Sequence, residues 1–444
     1  MISDALVNSA LNHGRFLHDA GKGQVTVAQK TPKFRMQAYE MRDLWEVLPA
    51  YGGMEDSYIS VNRFWGTRAV ARLAFLSSLY SDLDYYQIPE LANMLPPGVA
   101  MLAFDELERA NIPRPSLAIA TGRGLSLIWR HDPVPRVVLP RWALCQNHIF
   151  EALKDLGADP SARDAARVLR LVGTRNSKSG TIVKAIWEDA KDIWTFDDLA
   201  NEILPFTREE LEELRAKRRE ESGDRTPSKG HRRAPKSRDD VEKRFITATS
   251  LALERLSDLQ LLFKLRGQDK LPDGQRDPWM FVAAVSMAQF VEPQNLKREL
   301  VALGRDYAGW SEAKTSSKMN SVMRRAEEAE AGETVEWNGQ RRDPRYRLTN
   351  QTIIEMLSIT PTEQKKMKTI ISKDTKRERK TERKKQKRRE EGVKPRDEYL
   401  DEAEKRKSRV LELHQQGLSY RKIGEKVGLS HTQVRRIISS HPGS

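Results

Sequence analysis

Apolar residues along the chain change texture three times. From Phe34 to about Thr207 they are dense and mixed in period, from Asp239 to about Ala329 they recur at helical spacing, and from Lys373 to Lys394 they are almost missing. Each texture predicts a different kind of structure. In the first, Ala69 to Leu83 reads as a helix or strand leading into a strand. Ser116 to Trp129 alternates apolar and polar residues around Gly122-Arg123-Gly124, which reads as two strands and a turn. Leu144 to Leu156 has helical spacing and stops at Gly157. Val168 to Val172 and Thr181 to Trp187 read as short strands beside a Gly173-Thr174 turn. The expectation is an α+β domain over residues 1–207.

A charged helix, Arg208 to Arg218, then leads into Ser222 to Arg238, a linker by its Ser, Gly, Pro and Arg content, so residues 208–238 join two regions. Residues 239–372 are expected to be an all-helical accessory region. Trp279, Phe281, Val285, Met287 and Phe290 fall on its buried-looking positions, and Thr360-Pro361-Thr362-Glu363 is a late helix start. Residues 373–404 form a basic tether, whose default reading is a solvated helix or flexible link. The last stretch, 405–444, predicts three short helices: Val410, Leu411 and Leu413 mark the first, Tyr420, Ile423 and Val427 the second, and Val434 and Ile437 the inward side of the third. Ser419 and Ser430 stand where helix N-caps belong.

Composition adds a partner. The 444 residues carry a formal net charge of +14 and are 38% hydrophobic, enough for two or three cored domains. Clustered Lys and Arg are the footprint of a polyanion. The single cysteine, Cys145, excludes an internal disulfide or a thiolate metal cluster and points to a reducing bacterial cytoplasm. The N-terminus lacks a basic start before an apolar run, so no signal peptide is expected, and no stretch approaches the roughly 18 apolar residues of a membrane span. No membrane partner is expected.

Candidate chemistry begins at Ser81-Asp82-Leu83-Asp84. On a strand Asp82 and Asp84 share a face, and two adjacent carboxylates need a cation between them, which a hard divalent ion supplies. Alone, an Asp-x-Asp is more often a surface loop. Gly157 to Gly180 adds Asp159 and Asp164 as further carboxylates and Arg167, Arg170, Arg175 and Lys178 as cations around a tight turn. Acids for metal and bases for phosphate are what metal-assisted nucleotidyl transfer requires. Between them, Gly122, Arg123, Gly124 and Ser126 offer backbone amides and a guanidinium to a triphosphate, or a plain hairpin turn.

In this order, the three segments resemble the three motifs of the archaeo-eukaryotic primase superfamily, in its plasmid and mobile-element replication (primase-polymerase) branch. The resemblance implies an RRM-like sheet with helices, followed by an all-α accessory domain. It implies that Asp82, Asp84 and Asp159, with Asp164 as the alternative for the third, hold two Mg²⁺ or Mn²⁺ ions. Arg167, Arg170, Asn176, Lys178 and Arg123 would then hold the nucleoside triphosphate. The family usually has a histidine where Ser126 stands; His131 is not at that spacing. Gly274-Gln275-Arg276-Asp277 before Trp279 is a loose match to the family's helical region.

No Gly-x-x-x-x-Gly-Lys-Ser/Thr occurs, so a helicase would act as a partner in trans, and no His-x-His of a rolling-circle nicking enzyme occurs. The C-terminal segment resembles the homeodomain-like helix-turn-helix of resolvases, which implies that Ser430, His431, Thr432, Gln433, Arg435 and Arg436 face duplex DNA. The expected function is primer synthesis on single-stranded DNA coupled to origin binding in the replication of a plasmid or mobile element. The second reading is a DNA-binding initiator or regulator with a weakened catalytic site.

Overall fold

The computed structural model describes residues 4–19, 21–189, 193–207, 209–210, 213, 238–337, 339–390 and 396–440. They divide into two units, one ending at Ile370 and one beginning at Ile371. Most of the expected linker, 208–238, lies outside the described residues.

The first unit is α+β. Its elements run α1 (Asp4–Leu17), β1 (Gln24–Thr31), β2 (Lys33–Glu40), α2 (Met41–Val47), β3 (Ser57–Ser60), β4 (Arg63–Phe64) and β5 (Leu73–Leu83). Then come α3 (Pro96–Arg109), β6 (Leu117–Ala120), β7 (Leu125–Pro135), α4 (Leu139–Leu153), β8 (Val168–Arg170), β9 (Lys184–Glu188) and α5 (Phe196–Ile203). The strands form one sheet in the order β8-β3-β1-β4-β5-β7-β6-β9, with β2 added on the outer edge of β1. Pairings are antiparallel, so alternate residues face opposite sides and the sheet can keep one face open.

The ambiguous stretch 69–83 is a one-turn 3-10 helix, Val70–Arg72, followed by β5. The Ser116–Trp129 hairpin is present as β6 and β7. Helix α4 ends through a 3-10 turn at Gly157, whose φ of 85° is a left-handed stop that glycine adopts without Cβ strain. Trp142 of α4 donates its indole N–H to the Ser78 carbonyl and Gln146 accepts from the Tyr80 amide, fixing α4 over the middle of β5.

Four longer helices follow: α6 (Arg238–Leu265), α7 (Arg276–Met287), α8 (Pro293–Leu303) and α9 (Glu312–Glu330). Trp279, Val285 and Met287 are buried as the periodicity implied; Phe281 and Phe290 are only half-buried. These helices dock on α4 and on the 3-10 turns that precede β5 and follow β7. Glu299 of α8 accepts from the Val70 amide at 2.6 Å, and Arg136 reaches Ser257 and Gln260 of α6. Two short helices, α10 (Asn350–Met356) and α11 (Pro361–Gln364), close the unit, the second with the expected capping box between Thr360 and Glu363.

The second unit has α12 (Lys373–Glu390), α13 (Arg396–Gln415), α14 (Tyr420–Val427) and α15 (His431–Ser439). Val410, Leu413, Ile423, Val434 and Ile438 form its small core. The inward pair on α15 is therefore Val434 and Ile438, one helical turn apart, with Ile437 only half-buried. Gly424 permits the tight turn: a Cβ there would lie 2.5 Å from the Leu429 carbonyl oxygen. Among the described residues no helix is long and apolar enough to cross a membrane.

Candidate functional site

Asp82 lies near the end of β5, opposite Ser126 of β7. Its other flank is occupied by the turn that follows α4. Asp84 donates its amide to the Gly157 carbonyl and Asp159 donates its amide to the Asp82 carbonyl, both at 2.8 Å. Leu83 and Ala158 form the bridge between these bonds. This short ladder sets Asp159 directly across from Asp82, where opposed Cβ atoms lie about 5 Å apart. Asp84, two residues on, shares the face of Asp82.

Glycines, Gly124 and Gly157, flank Asp84 on either side, and its carboxylate is met from its own turn by Gln87, whose Nε2 donates to Oδ2 at 3.2 Å. A Cβ at Gly157 would approach the Asp84 backbone to 3.1 Å, and one at Gly124 would come within 2.6 Å of the Leu83 carbonyl. Glycine at both positions is a steric requirement of the site.

The charges are unbalanced. Burial pushes the Asp82 carboxyl up from its ordinary range and Asp159 adds to this, while Arg167 and the Ser126 hydroxyl, which donates to Oδ1 at 2.9 Å, pull it back. Burial, then the charges of Asp82 and Asp159, also push Asp84 up. Asp159 is the best compensated: it accepts from Ser161 and from Arg167 Nη2, the latter at 2.8 Å. Burial lowers the Arg167 guanidinium, but Tyr80, Asp164, Asp82 and Asp159 outweigh it and hold Arg167 above its ordinary value. Among the described residues no three His, Cys, Asp or Glu side chains converge on one point as a ready metal cage.

Asp164 is elsewhere. It is buried, accepts from the Ala166 amide and pairs with Arg298 of α8 at 2.9 Å, turned to the helical layer. Arg170 pairs with Asp56 at 2.8 Å and lies over the Tyr58 ring. Burial opposes ionisation of Asp56, yet hydrogen bonds from Ser177 and Arg170 hold it below the usual carboxylate range. Arg123 lies over the ring of Tyr86, 4.6 Å from its centroid. Asn176 is buried and donates to the Thr121 carbonyl at 2.7 Å, tying the third-motif loop to the glycine turn, and Gly122, at φ 109°, makes room for that contact. Lys178 is exposed on the same loop.

His131 does not replace the missing histidine. It is five residues from Ser126 on β7, packs against Phe196, and burial lowers it to about 4. Sequence reasoning missed Asp56, Tyr58, Tyr86 and Arg298, none of which sits in a motif. A cavity of about 420 Å³ under α1, lined by Ser9, His13 and Lys184, takes in none of the three carboxylates.

In the second unit, Thr432, Gln433, Arg435 and Arg436 are exposed on α15, with His431. Ser430 caps this helix, and its partner in the capping box is Gln433, whose Oε1 accepts from the Ser430 amide at 2.9 Å. Ser419 begins α14 without a side-chain cap bond.

Residues 401–441 match the homeodomain-like domain family. The chain is a homologue of a replication protein of Clostridium perfringens, 29% identical over 321 residues, which are 72% of this chain and 69% of that one. Among solved structures, it is similar to the archaeo-eukaryotic primase domain of the cyanophage S-2L primase-polymerase. That likeness has 17% identity and a TM-score of 0.32, covering 44% of this chain and 97% of that one. It is also similar to primase RepB′, at 14% identity and a TM-score of 0.31 over 74% and 99%.

Proposed function

We propose that this replication-protein homologue is a template-directed nucleotidyltransferase that makes primers on single-stranded DNA, with its C-terminal unit gripping duplex DNA of the replicon of a plasmid or mobile element. The observation that carries this is the ladder joining Asp82–Asp84 to Gly157–Asp159. It gathers three carboxylates on one face, with glycines on either side of Asp84.

An all-oxygen, acid-rich set with excess negative charge fits Mg²⁺ or Mn²⁺. Asp82, Asp84 and Asp159 would hold the ions, with Asp159 exchanging Arg167 for a cation. The ions, when bound, supply charge neutralisation at the attacking and leaving oxygens. Arg167, once released, would be free to meet those phosphates. Arg123, Arg170 and Lys178 would add positive charge around the triphosphate, and the Gly122–Gly124 turn lets its backbone come close to it. Asn176 acts on this site by fixing the turn to the loop. The pairing of Asp164 with Arg298 makes it a support for the loop, which favours Asp159 as the third ligand. A helicase would be supplied in trans.

The second reading, an initiator or regulator with a weakened site, is favoured by Ser126, which offers Asp82 a neutral hydroxyl where the resembled family has a histidine. Labelled-nucleotide incorporation on single-stranded DNA with Mn²⁺ separates the two. Products that vanish in Asp82→Asn support the enzyme; no product from the parent chain under any divalent ion leaves the initiator.

A further inference from the structure

Beside the carboxylates, part of the sheet is uncovered. Pairing registers Arg170 opposite Tyr58, Tyr58 opposite Ala28, and Ala28 opposite Met36. Directly opposed residues in antiparallel strands point to the same side, so these four lie in one row. Phe34 and Lys30, opposed to each other and two positions along from Met36 and Ala28, share that face.

Ala28 at the centre of the row is buried and Tyr58 and Arg170 are half-buried, but the outer end is exposed where a core face would be covered. Phe34 and Met36 are 43% and 50% exposed, and Lys30 is exposed. Phe34 meets the Tyr58 ring at 5.7 Å, Arg170 lies over the same ring at 5.0 Å, and Arg68 reaches the Met36 sulfur. Asp82 is close enough to Tyr58 for its charge to help burial push that phenol up. The strip thus starts at the candidate site and ends at the edge strand. Three inter-strand steps of about 4.8 Å make it about 14 Å long.

We infer that this strip, Tyr58, Met36 and Phe34 with Lys30, Arg68 and Arg170 beside them, is the platform on which single-stranded nucleic acid stacks as it approaches the carboxylates. The inference rests on the proposed function and names where its template lies. Exposed rings interleaved with cations are what unpaired bases and their phosphates require. The hairpin 24–40 carries Lys30, Lys33 and Arg35 against a single carboxylate, Glu40, so it suits a polyanion. Those same edge charges oppose strand-to-strand pairing with a second copy.

The test uses the full chain and an oligonucleotide of deoxythymidines with bromodeoxyuridine substituted at single positions. Photocrosslinked peptides are mapped, and primer synthesis is measured against template and nucleotide concentration. The expected result is crosslinking to Phe34, Met36 or Tyr58. In Phe34→Ala/Met36→Ala the template KM should rise about tenfold with the nucleotide KM unchanged, and Phe34→Tyr should behave as the parent. Crosslinks confined to residues beyond 370, or an unchanged template KM in the double variant, overturn the inference. So does a dimer that the double variant abolishes without any crosslink in the strip, which would make a second copy the occupant. If the parent chain incorporates no nucleotide, the proposed activity fails while the crosslinking map still decides the fate of the strip.

Discussion

Arg298 of α8 and Asp164 form an ion pair, Nη2 to Oδ1 at 2.9 Å, across the contact between the helical layer and the segment that carries Asp159. It is not a lone contact. Gln294 donates to the Pro160 carbonyl and Asn295 to the Ser161 carbonyl, both at 3.1 Å, so one face of α8 holds three points between Asp159 and Ala165. Asp164 is 3% exposed, and removing Arg298 strands a buried carboxylate. Arg298→Ala should destabilise the first unit by about 1–3 kcal/mol, read from urea unfolding, and Asp164→Asn in that background should recover much of the loss. Independent, additive effects of the two changes would show that the pair does not act as a unit.

The three ladder carboxylates should behave alike. Asp82→Asn, Asp84→Asn and Asp159→Asn should each lower nucleotide incorporation by about a hundredfold or more, because each removes charge that the proposed ions need. Asp164→Asn should keep most of the activity. An inactive Asp164→Asn beside an active Asp159→Asn would reverse the assignment.

Ser126 bonds to the ionised form of Asp82, and a bond to the charged form lowers a carboxyl pKa. Ser126→Ala should raise the Asp82 pKa further, moving the acid limb of the pH–rate profile to higher pH. Ser126→His restores the residue of the resembled family and should lower the nucleotide KM. An unchanged or higher KM would mean that the pocket is built around serine, with Arg123 taking the phosphate.

How much of this was legible in sequence follows from the range of each interaction. Asp82, Asp84 and the Gly122–Gly124 turn were readable because strand period and turn chemistry are local. The α+β character and the late capping box at Thr360 were readable for the same reason. The engagement of Asp164 away from the ladder was not, because its partner Arg298 lies 134 positions away. The ion pair that Arg170 makes with Asp56, 114 positions earlier, was not legible either. The capping role of Gln433, whose Oε1 accepts from the Ser430 amide, was not read from the sequence. The elements α1, β1 and β3 escaped notice because no motif marks them.

Three buried histidines predict a signature in acid. Burial lowers His13 and His18 to about 3 and His131 to about 4, against 6.5 for the free side chain. Below pH 6.5 the unfolded chain takes up protons that the folded chain refuses. Each histidine therefore withdraws stability as pH falls, by about 1.4 kcal/mol per unit until its folded value is reached. Glu292, which burial raises to about 7 from 4.5, acts oppositely between those two values. The clean readout is thus a difference between variants. His18→Gln, which can still donate to the Ser60 carbonyl, should lose less stability than the parent between pH 6.5 and 4. Parallel pH profiles would show that His18 is not held neutral.

The two ends of the chain should be separable. The carboxylates lie in the first unit, and the exposed, cation-bearing helix α15 lies in the second. A chain ending at Ile370 should keep metal-dependent synthesis on single-stranded templates and lose sequence-selective duplex binding. On α15 the roles can be distinguished by salt and by sequence. If Arg435 or Arg436 reads guanine, its change to Ala should cost about 1–3 kcal/mol at one operator position. If it holds phosphate, all sequences should weaken alike and the salt slope should fall by about one. Gln433→Ala should chiefly loosen the start of α15, because a bidentate contact to adenine needs the oxygen already given to Ser430. Neutralising the cations of α12 should lower affinity without altering sequence preference, since a charge array reads backbone and not bases. A chain ending at Ile370 that still selects the same duplex site would place the reader in the helical layer of the first unit and leave α15 with another task.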